Sequence, residues 1–396
     1  MRSDPVRAIY IARATRDFGD GFVAVLLPVH LANLGLGPFE IGIVASAALA
    51  GSAAMTLAVG RYAARFDPRT LLIAAAALMV ASGIAFAFAA SYAAILLIAF
   101  VGTVNPSSGS VGIFAPLEQS VLAHRAADTE RTRMFARYAL TGALAGALGA
   151  LAAGSPDLLA WLGLGRDAAL DAMFLIYAAL GIAGGTAYHR IPPEPPRPAE
   201  AGAALGPSRG IVRKLAALFA LDSFAGGFAV QSLMALWLFR QFELSLTAAG
   251  LFFFWTGVLS AFSFPVAAWL AGRIGLINTM VWTHIPSSLC LIAAAFATHV
   301  ELALGLLLVR AALSQMDVPT RSSYVMAVVT PAERPAAASY TAVPRAIAAA
   351  VAPSIAGAMF AAGADAGPLI VCGALKIAYD LALLWTFRDV KPPEER

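Results

Sequence analysis

The sequence predicts an all-α integral membrane protein: twelve transmembrane helices in two pseudo-twofold-related six-helix bundles. Three observations carry this. The chain of 396 residues is 60% hydrophobic and only 13% charged, with a mean hydropathy of +0.78, whereas a soluble domain is roughly 45–50% apolar and about 25% charged. No water-soluble core hides that much apolar surface, which excludes a soluble enzyme, a nucleic-acid-binding protein and a disordered chain. Apolar runs recur at the length of about 20 residues that crosses a bilayer as a helix. Strict alternation at period two is absent, so a barrel is not expected, and helices are the remaining way to satisfy the backbone in lipid. Finally, a polar stretch with six prolines, RIPPEPPRPAEAGAALGPSRGIVRK at 190–214, separates six apolar runs from six.

The spans are expected at 8–33, 40–60, 70–90, 93–122, 134–154, 169–188, 213–239, 247–271, 276–297, 302–328, 339–362 and 367–387. Domains follow as an N-terminal bundle at 1–189, a Pro-rich linker at 190–212 and a C-terminal bundle at 213–396. Basic residues set the orientation. With the N-terminus in the cytoplasm, 19 of the 27 Lys and Arg fall in inner segments or at the cytoplasmic ends of spans, six lie deeper within spans, and only Arg166 and Arg240 fall outside. This is a positive-inside pattern with both termini cytoplasmic, expected for a multi-pass protein of the inner (plasma) membrane. The first span lacks a small-residue cleavage site and is not read as a removable signal peptide. Cys290 and Cys372 both lie inside apolar runs and suggest neither a disulfide framework nor a metal cluster.

Taken in chain order, the spans differ in what they carry. A charge at mid-bilayer costs about 2.5–3.5 kcal/mol on insertion scales, so each one needs a reason. Span 1 holds Arg13, Arg16, Asp17 and Asp20 on one face; Arg13–Asp17 and Arg16–Asp20 are i,i+4 neighbours that can pair. Asp20 lies roughly 17 Å in from the span start, near the midplane. Span 4 contains NPSSGSVGIFAPLEQ at 105–119, whose prolines and small residues suggest a broken or bent helix of the kind that lines a substrate site. The alternative is close packing by small residues, which is the expected role of Gly142, Gly146 and Gly149 on span 5. Span 10 holds Arg310, Asp317 and Arg321 within about 40° of one face, with Pro319 expected to kink the helix. Lys376 and Asp380 on span 12 read as a self-satisfied i,i+4 pair, and His284 on span 9 as structural.

The halves echo each other. Aligning Phe22 with Phe228 sets DFGDGF at 17–22 beside SFAGGF at 223–228 and places Arg16 against Asp222. Aligning Pro116 with Pro319 places Glu118 against Arg321 and Glu130-Arg131 against Glu333-Arg334. These matches argue for a duplicated six-helix unit. The inverted charges at paired positions would let the halves bridge each other, so Glu118, Asp222 and Arg321 are read as gate charges.

With these features in place, the chain resembles the major facilitator superfamily over essentially its whole length. In that family two six-helix bundles are related by an axis along the membrane normal, with the substrate site between them near the midplane. The family signature G-x-x-x-D-R-x-G-R-R belongs between spans 2 and 3, where this chain reads GRYAARFDPR at 60–69. Gly60, Arg65 and Arg69 match, Ala64 replaces the acid, and Asp67 stands where the second glycine belongs. The repeat between spans 8 and 9, AWLAGRIGLI at 268–277, keeps Arg273 and Gly275 and has Gly272 at the acidic position. In the family this acid helps latch the outward-open state, and neither half has it, unless Asp67 serves from a shifted position. Arg310, in LLVRAALSQ, looks like the arginine of proton-coupled antiporters, although that residue normally belongs in span 4. The resemblance implies alternating access about a site between spans 1, 4, 7 and 10.

The expected function is therefore secondary active transport of a small polar solute, anionic or zwitterionic, coupled to protons. Arg16 and Arg310 are candidate anion ligands, because guanidinium forks match carboxylate and phosphate. Asn105, Gln231 and Gln315 are candidate hydrogen-bonding ligands, and Asp17, Asp20 and Asp317 candidate proton carriers. Proton-driven efflux of amphipathic drugs is the alternative within transport, but the charge stripes count against it. A non-transporting receptor or scaffold would leave those charges without a role. No P-loop, H-E-x-x-H, nucleophile elbow or Cys/His metal spacing occurs. No ATP, other cofactor, metal or nucleic acid is expected, and the expected partners are the solute, protons and membrane lipid.

Overall fold

A computed structural model of the chain describes residues 4–62, 65–89, 91–107, 112–125, 128–193, 205–330, 333–388 and 390. Among them the regular structure is entirely helical. The first half contains α1 (Pro5–Asn33), α2 (Pro38–Tyr62), α3 (Pro68–Phe88), α4 (Tyr92–Val101), α5 (Phe114–Arg125), α6 (Asp128–Ala152), the short α7 (Ser155–Trp161) and α8 (Arg166–His189). The second contains α9 (Arg209–Gly227), α10 (Gln231–Phe242), α11 (Leu246–Ile274), α12 (Leu276–Ala295), α13 (Val300–Ser314), α14 (Asp317–Val328), α15 (Arg334–Ala361) and α16 (Gly367–Phe387). Ten stretches are long and apolar enough to cross a membrane. α1 matches them in length but carries four ionisable residues at membrane depth, and α4 and α5 are one span broken in two. Twelve spans result, in the expected order. The middle of the linker (194–204), residues 108–111 of span 4 and the side chains of Glu130 and Arg131 lie outside the described residues.

Local chemistry fixes several helix ends. Asp4 and Asp67 each sit just before a proline at the first helical position, and each carboxylate accepts a backbone N–H of the opening turn: Val6 N at 3.0 Å and Arg69 N at 3.0 Å. That satisfies a donor with no intrahelical acceptor, while proline has none to satisfy. Asp67, the residue displaced within the loop signature, is thus the N-cap of α3, and Arg69 turns its guanidinium to His189 Nδ1 at 3.1 Å. Replacing Asp67 by Ala should cost about 1 kcal/mol, read as a lower melting temperature of the purified protein, and Asn should restore it. Equal melting of all three proteins would show that the cap contributes nothing. At the other end of α1, Gly35 takes φ 83° while Leu36 N reaches Leu31 O and Gly35 N reaches Ala32 O, the closing pattern that favours glycine.

Three spans are interrupted. Span 4 unwinds after Gly102, span 7 between Gly227 and Gln231, and span 10 at Gln315–Met316. The break in span 4 follows the sequence expectation. The kink expected at Pro319 does not occur there; the chain breaks three to four residues earlier. Pro319 is the third residue of α14, where its missing N–H removes no helical bond. Pro116, its aligned counterpart, is likewise the third residue of α5. The duplication is therefore visible as two half-helices that begin in the same way.

By its contacts the chain divides into two compact units, residues 1–199 with 230–257, and residues 200–229 with 258–396. In the first unit α1 packs on α6 and α8, and α3 on α8. In the second α9 packs on α15 and α16, and α12 on α16. Each unit thus lays the opening span of its half against the fifth and sixth, and the third against the sixth. Glycines allow the closest of these approaches. A Cβ on Gly21 would strike the Gly146 carbonyl, one on Gly149 the Phe18 carbonyl, and one on Gly142 the Arg13 and Asp17 side chains. The span 5 glycines therefore let two backbones meet and leave room for an ion pair.

In the second unit, the segment before α9 is tied to the α14–α15 loop through Glu333. Its carboxylate accepts from the Gly206 amide, from Ser208 N at 3.3 Å and from Thr330 Oγ1 at 2.8 Å. Hydrogen bonds from Ser208, Gly206 and Thr330 hold this carboxyl down to about 2. Because the folded value is depressed, the tether is complete above the ordinary glutamate range and is lost only as pH falls through about 2.

Candidate substrate and ion-coupling site

The first unit buries a charge cluster on α1. Arg13 Nε lies 2.7 Å from Asp17 Oδ2, as i,i+4 spacing predicts. Arg16 does not pair with Asp20. Its Nη2 reaches Asp17 at 3.2 Å, and its Nη1 lies 3.0 Å from Glu118 Oε1 on α5, near enough to pair though off the line of a good hydrogen bond. The Arg16 guanidinium also stacks on the Phe114 ring, 4.6 Å from its centroid. Glu118 is fully buried and accepts two further short hydrogen bonds, from Tyr138 and Tyr188. Both arginines are thereby committed to Asp17 and Glu118.

Asp20 has a different environment. It is 4% exposed and makes no ion pair among the described residues; its hydrogen-bond partner is Tyr177 Oη at 3.2 Å. That hydroxyl also lies 3.2 Å from Thr103 O and 3.2 Å from Thr103 Oγ1. Thr103 belongs to the unwound part of span 4, whose backbone is held by substitutes for helical bonds. Thr103 N donates to Ser82 Oγ at 3.1 Å, Ser107 N donates to Asn105 Oδ1 at 2.9 Å, and Pro106 O accepts from Ser232 N at 3.0 Å. A small pocket of about 20 Å³ lies against this segment; Arg16, Asp20, Ser52, Asn105 and Phe114 are among the residues that line it. It falls wholly within the first unit.

The second unit buries a counterpart on α9. Asp222 accepts from Arg321 Nη1 at 2.9 Å and from Lys376 Nζ at 2.7 Å, and Arg321 also lies 3.1 Å from Asp317. Lys376 therefore does not pair with Asp380. Asp380 is fully buried and bonds His284 Nδ1 at 3.0 Å, while Lys376 approaches His284 Nε2 at 3.3 Å. Both groups prefer partners on neighbouring helices because α16 turns them toward α9 and α12. His284 does more than fill space: it joins Asp380 to the Lys376–Asp222 pair.

These contacts settle how the aligned charges are used. Arg16 forms an ion pair with Glu118 within the first unit, and Asp222 with Arg321 within the second. Each unit thus satisfies its own pair, with the signs exchanged between opening and fourth spans. The stripe expected on span 10 is also divided, because the break at Gln315–Met316 leaves Arg310 on α13 and Asp317 with Arg321 on α14. Arg310 is half-buried and makes no ion pair among the described residues. The three amide candidates all fall at helix breaks: Asn105 in the unwound part of span 4, Gln231 as the first residue of α10, and Gln315 as the cap of α13. Sequence reasoning missed Tyr138, Tyr177 and Tyr188. A phenol at membrane depth needs a polar partner, and that requirement was the available signal.

The sequence profile of the Major Facilitator Superfamily matches residues 9–314. The chain belongs to the Major Facilitator Superfamily. An uncharacterized membrane protein of Saccharomyces cerevisiae is 25% identical over 369 residues, covering 83% of this chain and 82% of the yeast protein. The inward-open xylose transporter XylE from E. coli shares the fold with a TM-score of 0.77 over 98% of each chain, at 15% identity. The nucleoside transporter NupG does so with a TM-score of 0.75, over 98% of this chain and 100% of its own, at 13% identity. This superfamily chain is a multi-pass membrane protein with a fold that supports secondary transport by alternating access. Members of the family are in general not enzymes and bind small molecules as transported solutes.

Proposed function

We propose that this superfamily protein moves a small polar solute, anionic or zwitterionic, and couples that movement to protons through Asp20. One observation carries the reading: Asp20 lines a pocket beside an unwound segment and, among the described residues, is the cluster carboxylate that forms no ion pair with an arginine. Within the α1 cluster, two arginines face three carboxylates, leaving one negative charge in excess at a depth where unbalanced charge is costly. A proton on Asp17 or Glu118 would weaken an ion pair. On Asp20 it breaks none.

Tyr177 supplies a means of coupling. A hydroxyl has one proton to give and can also accept. With Asp20 ionised, Tyr177 donates to Asp20. With Asp20 protonated, Asp20 donates to Tyr177, and Tyr177 is free to donate to the Thr103 carbonyl. One proton on Asp20 thus changes a hydrogen bond to the segment that lines the pocket. Asn105 and Gln231 contribute amide hydrogen bonds at the broken helices, and Asp17, Glu118, Asp222, Asp317 and Arg321 hold each unit's charge network. The bias of basic residues supports a plasma-membrane orientation with both termini in the cytoplasm, and a six-plus-six division at the 190–212 linker.

Proteoliposomes containing the purified protein and an internal pH indicator would test this. Addition of amino acids, small carboxylates, phosphates, sugars and amphipathic cations one class at a time should produce a proton-linked signal for a polar anionic or zwitterionic solute. A response to amphipathic cations alone, or solute uptake with no movement of protons between pH 5.5 and 8, would overturn it.

A further inference from the structure

We propose that Arg345 binds the anionic group, a carboxylate or phosphate, of the transported solute. This rests on the reading above and names a residue for it. Arg345 lies 11 residues into α15, about 16 Å along the helix, close to the middle of a hydrocarbon layer of about 30 Å. It is half-buried. Its Nε donates to the Ser223 hydroxyl on α9 at 3.2 Å. No carboxylate bonds it among the described residues, although acids are near.

Those acids are already engaged. The charged groups around Arg345 are Arg321, Asp222 and Asp317. Asp222 is held by Arg321 and Lys376, and Asp317 by Arg321. The guanidinium therefore keeps its four Nη hydrogens without a protein acceptor among the described residues, while Ser223 fixes the Nε edge. A cation at this depth without an anion is expensive, and the structures that tolerate one use it. Two parallel Nη–H donors match the two oxygens of a carboxylate or phosphate. Arg16 is a weaker candidate for the same task, because Asp17 and Glu118 occupy its fork and Phe114 covers its face. Arg310 on α13 shares the lack of an ion pair among the described residues, with Cys372 as a neighbour, but no side-chain hydrogen bond among those residues fixes its guanidinium as Ser223 fixes that of Arg345.

The test is thermal stabilisation of the purified, detergent-solubilised chain by glutamate, succinate and inorganic phosphate, against chloride at matched ionic strength. At least one of these anions should raise the wild-type melting temperature. Arg345→Gln should shift the midpoint concentration at least tenfold upward, Arg345→Lys less, and Arg209→Gln, at an exposed residue at the start of α9, should leave it unchanged. Because Arg345→Gln could misfold, a second measurement uses the wild type. Modification of Arg345 by phenylglyoxal, read by mass spectrometry, should be suppressed by the same anion. An unchanged midpoint in a folded Arg345→Gln protein, or modification that the anion does not slow, removes Arg345 while leaving the solute class standing. A wild type that no anion stabilises overturns the proposal. If that same protein moves a neutral solute with protons, the anionic reading itself fails.

Discussion

Asp20→Asn is expected to abolish proton-driven accumulation of the solute while leaving exchange of labelled for unlabelled solute at half the wild-type rate or better. Asparagine copies the size of a protonated aspartate and can donate to Tyr177, so the local bonds of the proton-loaded state survive. What is lost is the ability to release the proton. A coupled transporter frozen in one protonation state still cycles with solute bound on both legs, but it has no gradient to draw on. The effect on uphill movement should be large, two orders of magnitude or more, because no other cluster carboxylate can take the proton without disturbing an arginine pair. Tyr177→Phe separates coupling from charge. It keeps Asp20 titratable but removes the hydroxyl that links it to Thr103, so downhill transport should persist with a flattened pH profile. Proteoliposome uptake and counterflow, measured side by side from pH 5.5 to 8, distinguish the outcomes. Equal loss of uptake and exchange in Asp20→Asn would make Asp20 a structural acid, and an unaltered pH profile in Tyr177→Phe would remove the relay.

The two kinds of reading from sequence fared differently for physical reasons. Span positions are written in local composition, so all twelve are legible in the sequence alone. The broken span 4 was equally visible, because Pro106, Pro116 and the small residues between them disfavour a continuous helix. Partner choice is not local. Helical spacing made Arg13–Asp17, Arg16–Asp20 and Lys376–Asp380 equally good pairs, yet only the first forms. Arg16 and Lys376 reach further because a buried carboxylate on another helix, Glu118 or Asp222, needs a cation more than a partner within reach of a phenol or imidazole does. Pro319 shows the same limit. Its presence marked a disturbance, but whether it kinks a helix or begins one depends on where the preceding segment ends, which is at Gln315. The tyrosines that clamp Glu118 come from α6 and α8, distant in sequence from the charges they serve, and no motif in the charged spans announces them.

The second large effect is expected on stability, at Asp222. Its carboxylate is the meeting point of the second unit's buried network, accepting from Arg321 and Lys376 with His284 Nε2 4.0 Å away. Neutralising it as Asp222→Asn leaves Arg321 with Asp317 but takes from Lys376 its 2.7 Å carboxylate partner, leaving it against His284 and an amide. Removing one member of a buried pair typically costs about 3–5 kcal/mol, mostly as the penalty of the stranded charge, which for a chain of this size corresponds to a fall in apparent melting temperature on the order of 5 °C or more. Asp317→Asn should cost less, because Arg321 keeps Asp222. The decisive comparison is the double variant Asp222→Asn/Lys376→Met. If the stranded ammonium is the source of the loss, taking it away should recover a large part of the stability despite a second substitution in the core, a non-additivity that a simple packing defect would not produce. Melting of detergent-solubilised protein at one fixed scan rate measures all four chains on one scale. A double variant that melts no higher than Asp222→Asn alone would show that Lys376 does not depend on Asp222, and that the network stabilises this unit through Arg321 and Asp317 instead.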